Sequence, residues 1–174
     1  MEDLKIVLLG YMGSGKTTIG RIVANHLSVK FLDLDDYIAQ KENLSVAEIF
    51  KEKGEVYFRK KEHDYLKEIF LNENRFLLSL GGGTPCFGNN MELVNQQTQY
   101  SFYIQTSLDE LVKRLKKEKA SRPMIAHLDD GELQEFIGKH LFERSFFYNQ
   151  AHRLVKSGER TPTEIAESIV NALV

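Results

Sequence analysis

This chain reads Gly10-Tyr11-Met12-Gly13-Ser14-Gly15-Lys16-Thr17 immediately after the apolar run Ile6-Val7-Leu8-Leu9. The pattern G-x-x-x-x-G-K-[ST] is typical of a phosphate-binding loop, because glycines let the backbone curl until several N–H groups face one anion. Lys16 would neutralise the β- and γ-phosphates of a nucleotide, and the Thr17 hydroxyl could ligate Mg²⁺. Apolar residues then recur at helical spacing, at Ile19, Ile22, Val23 and Leu27. The order of strand, glycine loop and helix predicts a phosphate site at a helix N-terminus.

Length, composition and charge limit what this site can belong to. The chain has 174 residues, 42% of them hydrophobic, which predicts a single domain over residues 1–174 with a real core. A formal net charge of −2 disfavours a globally basic nucleic-acid binder. No apolar run approaches the roughly 18 to 20 residues of a membrane span, and no leader pattern is present, so we expect a cytoplasmic protein that does not bind membranes.

Cysteine and histidine content argues against an internal disulfide and against a zinc site. Cys86 is the only cysteine, so the chain has no internal disulfide, and this fits a reducing compartment. The five histidines are scattered without the spacing of metal ligands, which does not indicate a zinc site.

Strands and helices alternate along the chain. Five short apolar segments, at residues 6–9, 31–33, 76–80, 100–104 and 153–155, predict strands. Helices are expected between them, with starts marked by capping residues at Ser45, Ser107 and Thr161, and Gly54 is expected to separate a short helix from a longer one over about 55–71. The pattern predicts an α/β fold of three layers, with a central five-stranded parallel sheet flanked by helices.

Two further features belong to the same prediction. The segment at about 118–131 is polar, contains Pro123 and lacks a clear period, which predicts a mobile lid. Residues 10–17, 33–36 and 81–83 all follow predicted strands, and ligands of parallel sheets bind beyond the carboxyl ends of the strands. These three segments should therefore meet at one site.

The motifs taken together resemble the shikimate kinases, P-loop enzymes related to the nucleoside monophosphate kinases that transfer the γ-phosphoryl group of ATP to a hydroxyl of shikimate. The resemblance covers nearly the whole chain. It rests on the phosphate loop, Asp33-Leu34-Asp35, residues 54–59, the triplet Gly81-Gly82-Gly83, Arg122-Pro123-Met124, and Arg144 followed by Tyr148. It implies ATP and Mg²⁺ as cofactors, shikimate as the small-molecule substrate, and a place in aromatic amino-acid (chorismate) biosynthesis.

The resemblance also implies residue roles on the nucleotide side. Gly13, Ser14, Gly15, Lys16, Thr17 and Thr18 would bind the phosphates, with Lys16 also catalytic. Arg122, in the lid, would approach the transferred phosphate as a catalytic residue, and Arg114 would pack on adenine. An exposed surface charge is the alternative for Arg114. Residues 156–160, where the family contacts adenine, match poorly, so no contact is assigned there.

The acceptor and metal roles fall on carboxylates, arginines and glycines. By resemblance, Asp33 holds Mg²⁺ through water beside Thr17, and Asp35 binds the reacting hydroxyl as the candidate catalytic base. The alternative is that Asp35 or Asp36 only caps the next helix, and we favour capping for Asp36. No strand ends in a Walker-B aspartate, so Asp33 is expected to serve the metal instead.

A carboxylate on the substrate suits arginine, whose planar fork donates two parallel hydrogen bonds. The resemblance assigns that contact to Arg59 and Arg144, and Glu62 lies three residues after Arg59, close enough to hold its guanidinium. The amides of Gly81, Gly82 and Gly83 can approach the substrate closely because no side chain intervenes.

Other functions with the same loop stay open. One is a kinase for another small acceptor, such as gluconate or a nucleoside monophosphate, and another is a nucleotide-driven switch. A carboxylate pair, two placed arginines and a glycine triplet favour a polyhydroxy carboxylate as the acceptor. Without an evident interface stripe, the protein is expected to be a monomer.

Overall fold

The computed structural model of the protein describes residues 3–122 and 124–173. Its strands are β1 (Leu4–Leu9), β2 (Lys30–Asp33), β3 (Arg75–Ser79), β4 (Ser101–Gln105) and β5 (Arg153–Lys156). Its α-helices are α1 (Lys16–His26), α2 (Leu34–Glu42), α3 (Val46–Asn72), α4 (Asn90–Gln97), α5 (Leu108–Glu118), α6 (Asp130–Tyr148) and α7 (Pro162–Asn171). Short 3₁₀ turns lie at Thr84–Cys86 and Lys119–Ser121.

The sheet has the order β2-β3-β1-β4-β5, and all neighbouring strands are parallel. The predicted five-stranded parallel sheet is therefore confirmed, with each strand within about two residues of its predicted bounds. From the central strand β1 the chain crosses to the edge strand β2 and returns to β3 beside β1, and from β3 it crosses to β4 and then β5 on the other side of β1. The loop after β1 thus lies at the point where the strand order reverses, which is where open parallel sheets bind ligands.

Both faces of the sheet are covered, and β1 shows how. Ile6 and Leu8 point to one face and pack with residues of α1 and α7. Val7 and Leu9 point to the other face and pack with residues of α2 to α6. All four side chains are fully buried. A strand that is buried on both faces has a continuous hydrophobic sequence, which explains the apolar run of β1. The predicted arrangement of helices on both faces of the sheet is confirmed.

Helix starts follow the predicted capping chemistry. Ser45 with Glu48 and Thr161 with Glu164 form complete capping boxes, and the Ser107 hydroxyl accepts from the Glu110 amide. Gly54 interrupts α3 with φ 82° and ψ 170°, so the predicted break exists as a kink within one long element. Helix α4 lies between β3 and β4, where a helix was expected without stated bounds.

The segment predicted as a lid, at about 118–131, connects helices α5 and α6. Helix α5 continues to Glu118, and a capping box between Asp129 and Glu132 starts α6 at Asp130. Ile125 is fully buried, which anchors the middle of the connection to the core. Pro123 lies outside the described residues. That the segment moves stays a prediction.

Of the helices over residues 3–122 and 124–173, none is long and apolar enough to cross a membrane.

Candidate active site

A polar cavity of about 450 Å³ opens at the carboxyl edge of the sheet. Five parts of the chain line it: the glycine loop after β1, the end of β2 with the first turn of α2, the end of β3 with the loop after it, the second half of α5 with the residues that follow it, and the start of α7. Its walls include Met12, Gly13, Gly15, Lys16, Thr17, Thr18, Asp33, Asp35, Ser79, Leu80, Gly81, Gly82, Arg114, Glu118, Arg122 and Pro162. The three motif segments that follow strands do converge, as predicted.

The glycine loop has the curled backbone that its sequence predicts. Gly13 and Gly15 have φ values of 80° and 92°, in the left-handed region that side chains disfavour. A Cβ on Gly13 would also approach the Leu115 side chain to 3.0 Å. The Ser14 Oγ is buried and has no hydrogen-bond partner among the described residues. A buried hydroxyl without a partner is costly, so this loop fits a ligand that brings oxygen atoms to it.

Lys16 folds back over the loop. Its Nζ donates to the carbonyl oxygens of Gly10 at 2.8 Å and Tyr11 at 3.1 Å. Burial lowers the pKa of Lys16 to about 8, and the nearby carboxylates of Asp33 and Asp35 oppose that shift. The ammonium group is therefore only moderately stabilised by its present partners, and an anionic phosphate would hold it more strongly.

Asp33 joins the loop to the start of α2. Its Oδ2 accepts from the Thr17 hydroxyl at 3.3 Å, while its Oδ1 accepts from the amides of Asp35 at 3.1 Å and Asp36 at 3.4 Å. Asp33 is thus the N-cap of α2. The expectation that Asp36 is the capping residue was wrong, because the strand ends at Asp33 and the helix begins one residue later.

The Thr17 hydroxyl and the Asp33 carboxylate are oxygen donors of the kind that Mg²⁺ prefers. Among the residues that the structure describes, no cluster of three or more His, Cys, Asp or Glu side chains could cage a metal. A site with few protein oxygens suits Mg²⁺ that takes its other ligands from water and phosphate.

Asp35 lies inside the cavity rather than at a helix cap. Burial raises the pKa of its carboxyl group to about 6, with the charges of Asp33 and Glu62 acting in the same direction. A Cβ on Gly81 would lie 2.9 Å from the Asp35 Oδ1, so glycine is what lets the loop after β3 pass this carboxylate. The carboxylate is therefore partly desolvated and closely bounded, which suits a group that orients a hydroxyl.

Arg59 lies at the far side of the glycine triplet. Its Nη1 donates to Glu62 at 2.7 Å, which confirms the predicted contact, and its Nε is 3.5 Å from Glu55. The guanidinium lies 4.1 Å from the centroid of the Phe87 ring. A Cβ on Gly83 would approach the Arg59 Nη2 to 2.6 Å. Contacts on several sides leave this fork little freedom to turn.

Arg144 approaches the triplet from α6. Its Nη1 would lie 3.4 Å from a Cβ on Gly82, and its guanidinium lies 5.5 Å from the centroid of the Tyr11 ring. The Tyr148 hydroxyl donates to the Gly82 carbonyl at 2.6 Å. Burial raises the pKa of Tyr148, which keeps this donor protonated. Arg59 and Arg144 thus flank the same three glycines.

Arg114 and Arg122 face the glycine loop from α5 and beyond. Arg114 Nη1 donates to the Gly13 carbonyl at 3.2 Å, and its Nε donates to Glu110 at 2.9 Å. Arg114 is therefore not the exposed surface charge that was the alternative. Arg122 Nε donates to Glu118 at 2.9 Å. Arg122 thus lines the cavity as one partner of an ion pair with Glu118.

Some residues around the site were missed by sequence reasoning. The buried Tyr11 hydroxyl lies 3.1 Å from His140 Nδ1 and links the glycine loop to α6. Phe87 packs on Arg59, and Pro162 is the cavity residue nearest in sequence to the unassigned 156–160 segment. Only the position of Tyr11 inside the motif could have drawn attention to it, since the pairing with His140 spans 129 residues.

A family model described as shikimate kinase matches residues 12–174 of the chain. The chain belongs to the shikimate kinase family. A shikimate kinase of Flavobacterium johnsoniae is 46% identical over 169 residues, which cover 97% of this chain and 98% of that relative. A second relative, the shikimate kinase of Flavobacterium psychrophilum, is 44% identical over 95% of this chain and 96% of its own length.

Solved structures of shikimate kinases share the fold over nearly the whole chain. The crystal structure of the enzyme from Bacteroides thetaiotaomicron has a TM-score of 0.85 at 38% identity and covers 98% of this chain and 95% of its own. The shikimate kinase from Acinetobacter baumannii, solved in complex with shikimate, has a TM-score of 0.87 at 28% identity, with 99% and 93% coverage. The P-loop fold expected from the sequence is therefore shared with these enzymes.

Proposed function

We propose that this protein transfers the γ-phosphoryl group of ATP to a hydroxyl of shikimate, giving shikimate 3-phosphate and ADP for chorismate and aromatic amino-acid biosynthesis. One observation carries the proposal beyond family membership. A single cavity joins a phosphate-binding loop to a half-buried carboxylate, Asp35, and to Gly81 and Gly82. The guanidinium groups of Arg144 and Arg59 lie against Gly82 and Gly83, next to this cavity. Phosphoryl transfer needs the two substrates held in line and their charges neutralised, and this arrangement supplies both.

The nucleotide phosphates would lie on the glycine loop, with Gly13, Ser14, Gly15, Thr17 and Thr18 as their binding residues. The amides at the start of α1 face that position, and the Ser14 hydroxyl lacks a partner among the described residues. Lys16 would exchange its two carbonyl acceptors for phosphate oxygens, which supports its role as a catalytic cation. Arg114 would pack on the adenine ring, and its hydrogen bond to the Gly13 carbonyl, which holds it beside the loop, supports this role.

Mg²⁺ would be held by the Thr17 hydroxyl and, through water, by Asp33. Bound there, the ion neutralises charge on the transferring phosphoryl group. The 3.3 Å separation between the Thr17 hydroxyl and Asp33 supports a shared site for the two side chains.

The acceptor would lie between Asp35 and the glycine triplet. Asp35 would accept the proton of the reacting hydroxyl and aim its oxygen at the phosphate. Arg59 and Arg144 would bind the carboxylate of shikimate, while the amides of Gly81, Gly82 and Gly83 border the ring. Both arginines lie beside this triplet, which supports their acting on one ligand.

Closure of the segment at about 118–131 would complete the site. Arg122 is bonded to Glu118, and a phosphate could replace that carboxylate as the partner of the arginine. Such an exchange would bring a cation to the transferred group and exclude water that could otherwise accept it. We further propose that residues 1–174 act as one domain, as a cytoplasmic monomer that binds no nucleic acid.

A coupled assay of ADP release tests this function directly. Shikimate, gluconate and a nucleoside monophosphate are compared as acceptors, each with ATP and Mg²⁺. Of the three acceptors, we expect only shikimate to be turned over. Lys16→Ala should strongly reduce this turnover, and Lys51→Ala, which changes an exposed lysine on α3, should retain it. Turnover that favours gluconate or the nucleotide over shikimate would overturn the proposal.

A further inference from the structure

A chain of hydrogen-bonded polar side chains lies next to the glycine triplet. Glu62, Thr84 and Asn90 are fully buried. The Thr84 hydroxyl donates to Glu62 Oε1 at 2.6 Å, and Asn90 Nδ2 donates to the Thr84 carbonyl at 2.9 Å. His63 Nδ1 lies 2.7 Å from Asn90 Oδ1. The chain starts and ends on α3, so it fastens the segment after β3 to that helix at two adjacent residues.

The direction of each hydrogen bond can be worked out. A carbonyl oxygen only accepts, so the contact with Thr84 fixes which end of the Asn90 amide carries the hydrogens. Asn90 Oδ1 is then the acceptor for His63, and His63 Nδ1 must carry a proton. At the other end, Glu62 only accepts as a carboxylate, so the Thr84 hydroxyl must be the donor. Each of these groups has a complementary partner.

Glu62 links this chain to the substrate side. Its Oε2 accepts from Arg59 at 2.7 Å, while its Oε1 accepts from Thr84. Without the Thr84 hydroxyl, a fully buried carboxylate oxygen would lose this donor, and leaving a buried charged group short of a partner is costly. The carboxylate would turn towards other donors, and Arg59 would follow it.

The backbone between these groups has little free space. A Cβ on Gly81 would lie 3.0 Å from the Thr84 Oγ1 and 2.9 Å from the Asp35 Oδ1. A Cβ on Gly83 would meet the Arg59 guanidinium at 2.6 Å. Thr84 therefore lies in a closely packed position beside Gly81, where its hydroxyl has little room to leave Glu62.

We propose that Thr84 is a positioning residue for the acceptor: its hydroxyl orients Arg59 through Glu62, and Asn90 with His63 holds Thr84 in place. The inference rests on the proposed function, because the ligand whose binding it sharpens is the carboxylate of shikimate. Thr84 touches neither substrate and acts only through Arg59.

The test compares two substitutions at one position. Thr84→Val keeps the shape but removes the donor, and Thr84→Ser keeps the donor but removes a methyl group. Loss of a hydrogen bond to a charged group typically changes an equilibrium constant by roughly ten-fold or more. Part of that loss should weaken the binding of shikimate by Arg59, so we expect Thr84→Val to raise the shikimate KM about 5- to 20-fold. The ATP KM should stay within about two-fold, and Thr84→Ser should restore shikimate KM to near the wild-type value.

Thr163→Val is the matched control, because Thr163 is exposed on α7 and forms part of the groove against α1. It should leave both KM values unchanged. Equal effects of Thr84→Val and Thr84→Ser, an unchanged shikimate KM in Thr84→Val, or a parallel rise of both KM values would overturn the proposal.

Two further measurements complete the test. If Thr84→Val does not fold, His63→Ala replaces it, because His63 is only half-buried. His63→Ala should raise the shikimate KM about 2- to 5-fold without changing the ATP KM, and no rise would overturn the proposal. The methyl ester of shikimate, whose carboxylate is neutralised, should bind Thr84→Val and wild type equally, and a preserved difference would contradict action through Arg59. Failure of the wild type to phosphorylate shikimate would instead refute the proposed function.

Discussion

The ionisation of Asp35 offers a sharp test of the acceptor site. Burial raises the pKa of Asp35 to about 6, and the neighbouring charges of Asp33 and Glu62 add to the rise, while Lys16 and Arg59 oppose it. The proposed role needs the carboxylate form, because only that form accepts the proton of the hydroxyl. Activity should therefore be present above about pH 6 and fall as the pH drops through this pKa.

The size of the effect follows from the same pKa. At pH 5 about one molecule in eleven would carry an ionised Asp35, so kcat/KM for shikimate should be about ten-fold below its plateau. Asp33→Asn removes a negative neighbour, so it should lower the pKa of Asp35 and move the acid limb to lower pH. The direction of this shift does not depend on the size of the burial effect.

The pKa should be measured on the free enzyme, because phosphate groups of the nucleotide titrate in the same range. A titration of aspartate carboxyl carbons by ¹³C NMR, with Asp35→Asn to assign the signal, reports it directly. The kcat/KM profile for shikimate, taken from pH 5 to 8 at saturating ATP and Mg²⁺, reports the nucleotide complex, and its acid limb should move to lower pH in Asp33→Asn. A midpoint near 4, the ordinary range for an aspartate, would refute the argument that burial and two carboxylates act on Asp35.

Four substitutions separate the remaining roles. Lys16→Ala removes the cation nearest the proposed phosphate position and should lower kcat by on the order of 10² or more, with shikimate affinity within a few-fold; near-normal turnover would contradict the loop assignment. Arg59→Lys keeps the charge but loses the fork and its packing on Phe87, so kcat/KM for shikimate should fall by roughly 1 to 3 kcal/mol with little change in ATP KM; parallel changes would make Arg59 structural. Asp33→Asn should raise the Mg²⁺ requirement and be partly rescued by excess Mg²⁺, whereas Asp35→Asn should lower kcat at every Mg²⁺ concentration; the opposite pattern of rescue would reverse the two roles.

The parts of the fold that sequence reasoning predicted well depend on short-range chemistry. The capping boxes at Ser45 and Thr161, the kink at Gly54 and the apolar run of β1 each involve residues a few positions apart. The bounds of α4 were not predicted, because its N-cap, Asn89, makes no side-chain capping bond and the helix has only eight residues.

The candidate site likewise has features that the sequence predicted and features that it did not. The motif residues themselves were identified, and the rule that ligands bind at the carboxyl ends of parallel strands correctly brought three segments together. The division of labour between Asp33 and Asp36 was not predicted, because it depends on the residue at which β2 turns into α2. Whether a carboxylate caps a helix or faces a cavity changes with a shift of one residue in that turn.

By itself, the sequence determined the kind of fold and the phosphate loop, because both depend on hydrophobic periodicity, glycine positions and helix-capping residues that lie close together in the chain. The tertiary structure alone decided how the acceptor side is held: Glu62 meets Thr84 across 22 residues, Tyr148 meets Gly82 across 66, and Tyr11 meets His140 across 129. Such pairs form because packing the helices on the sheet removes water from polar groups, and each buried group must then find a partner wherever the fold has placed one.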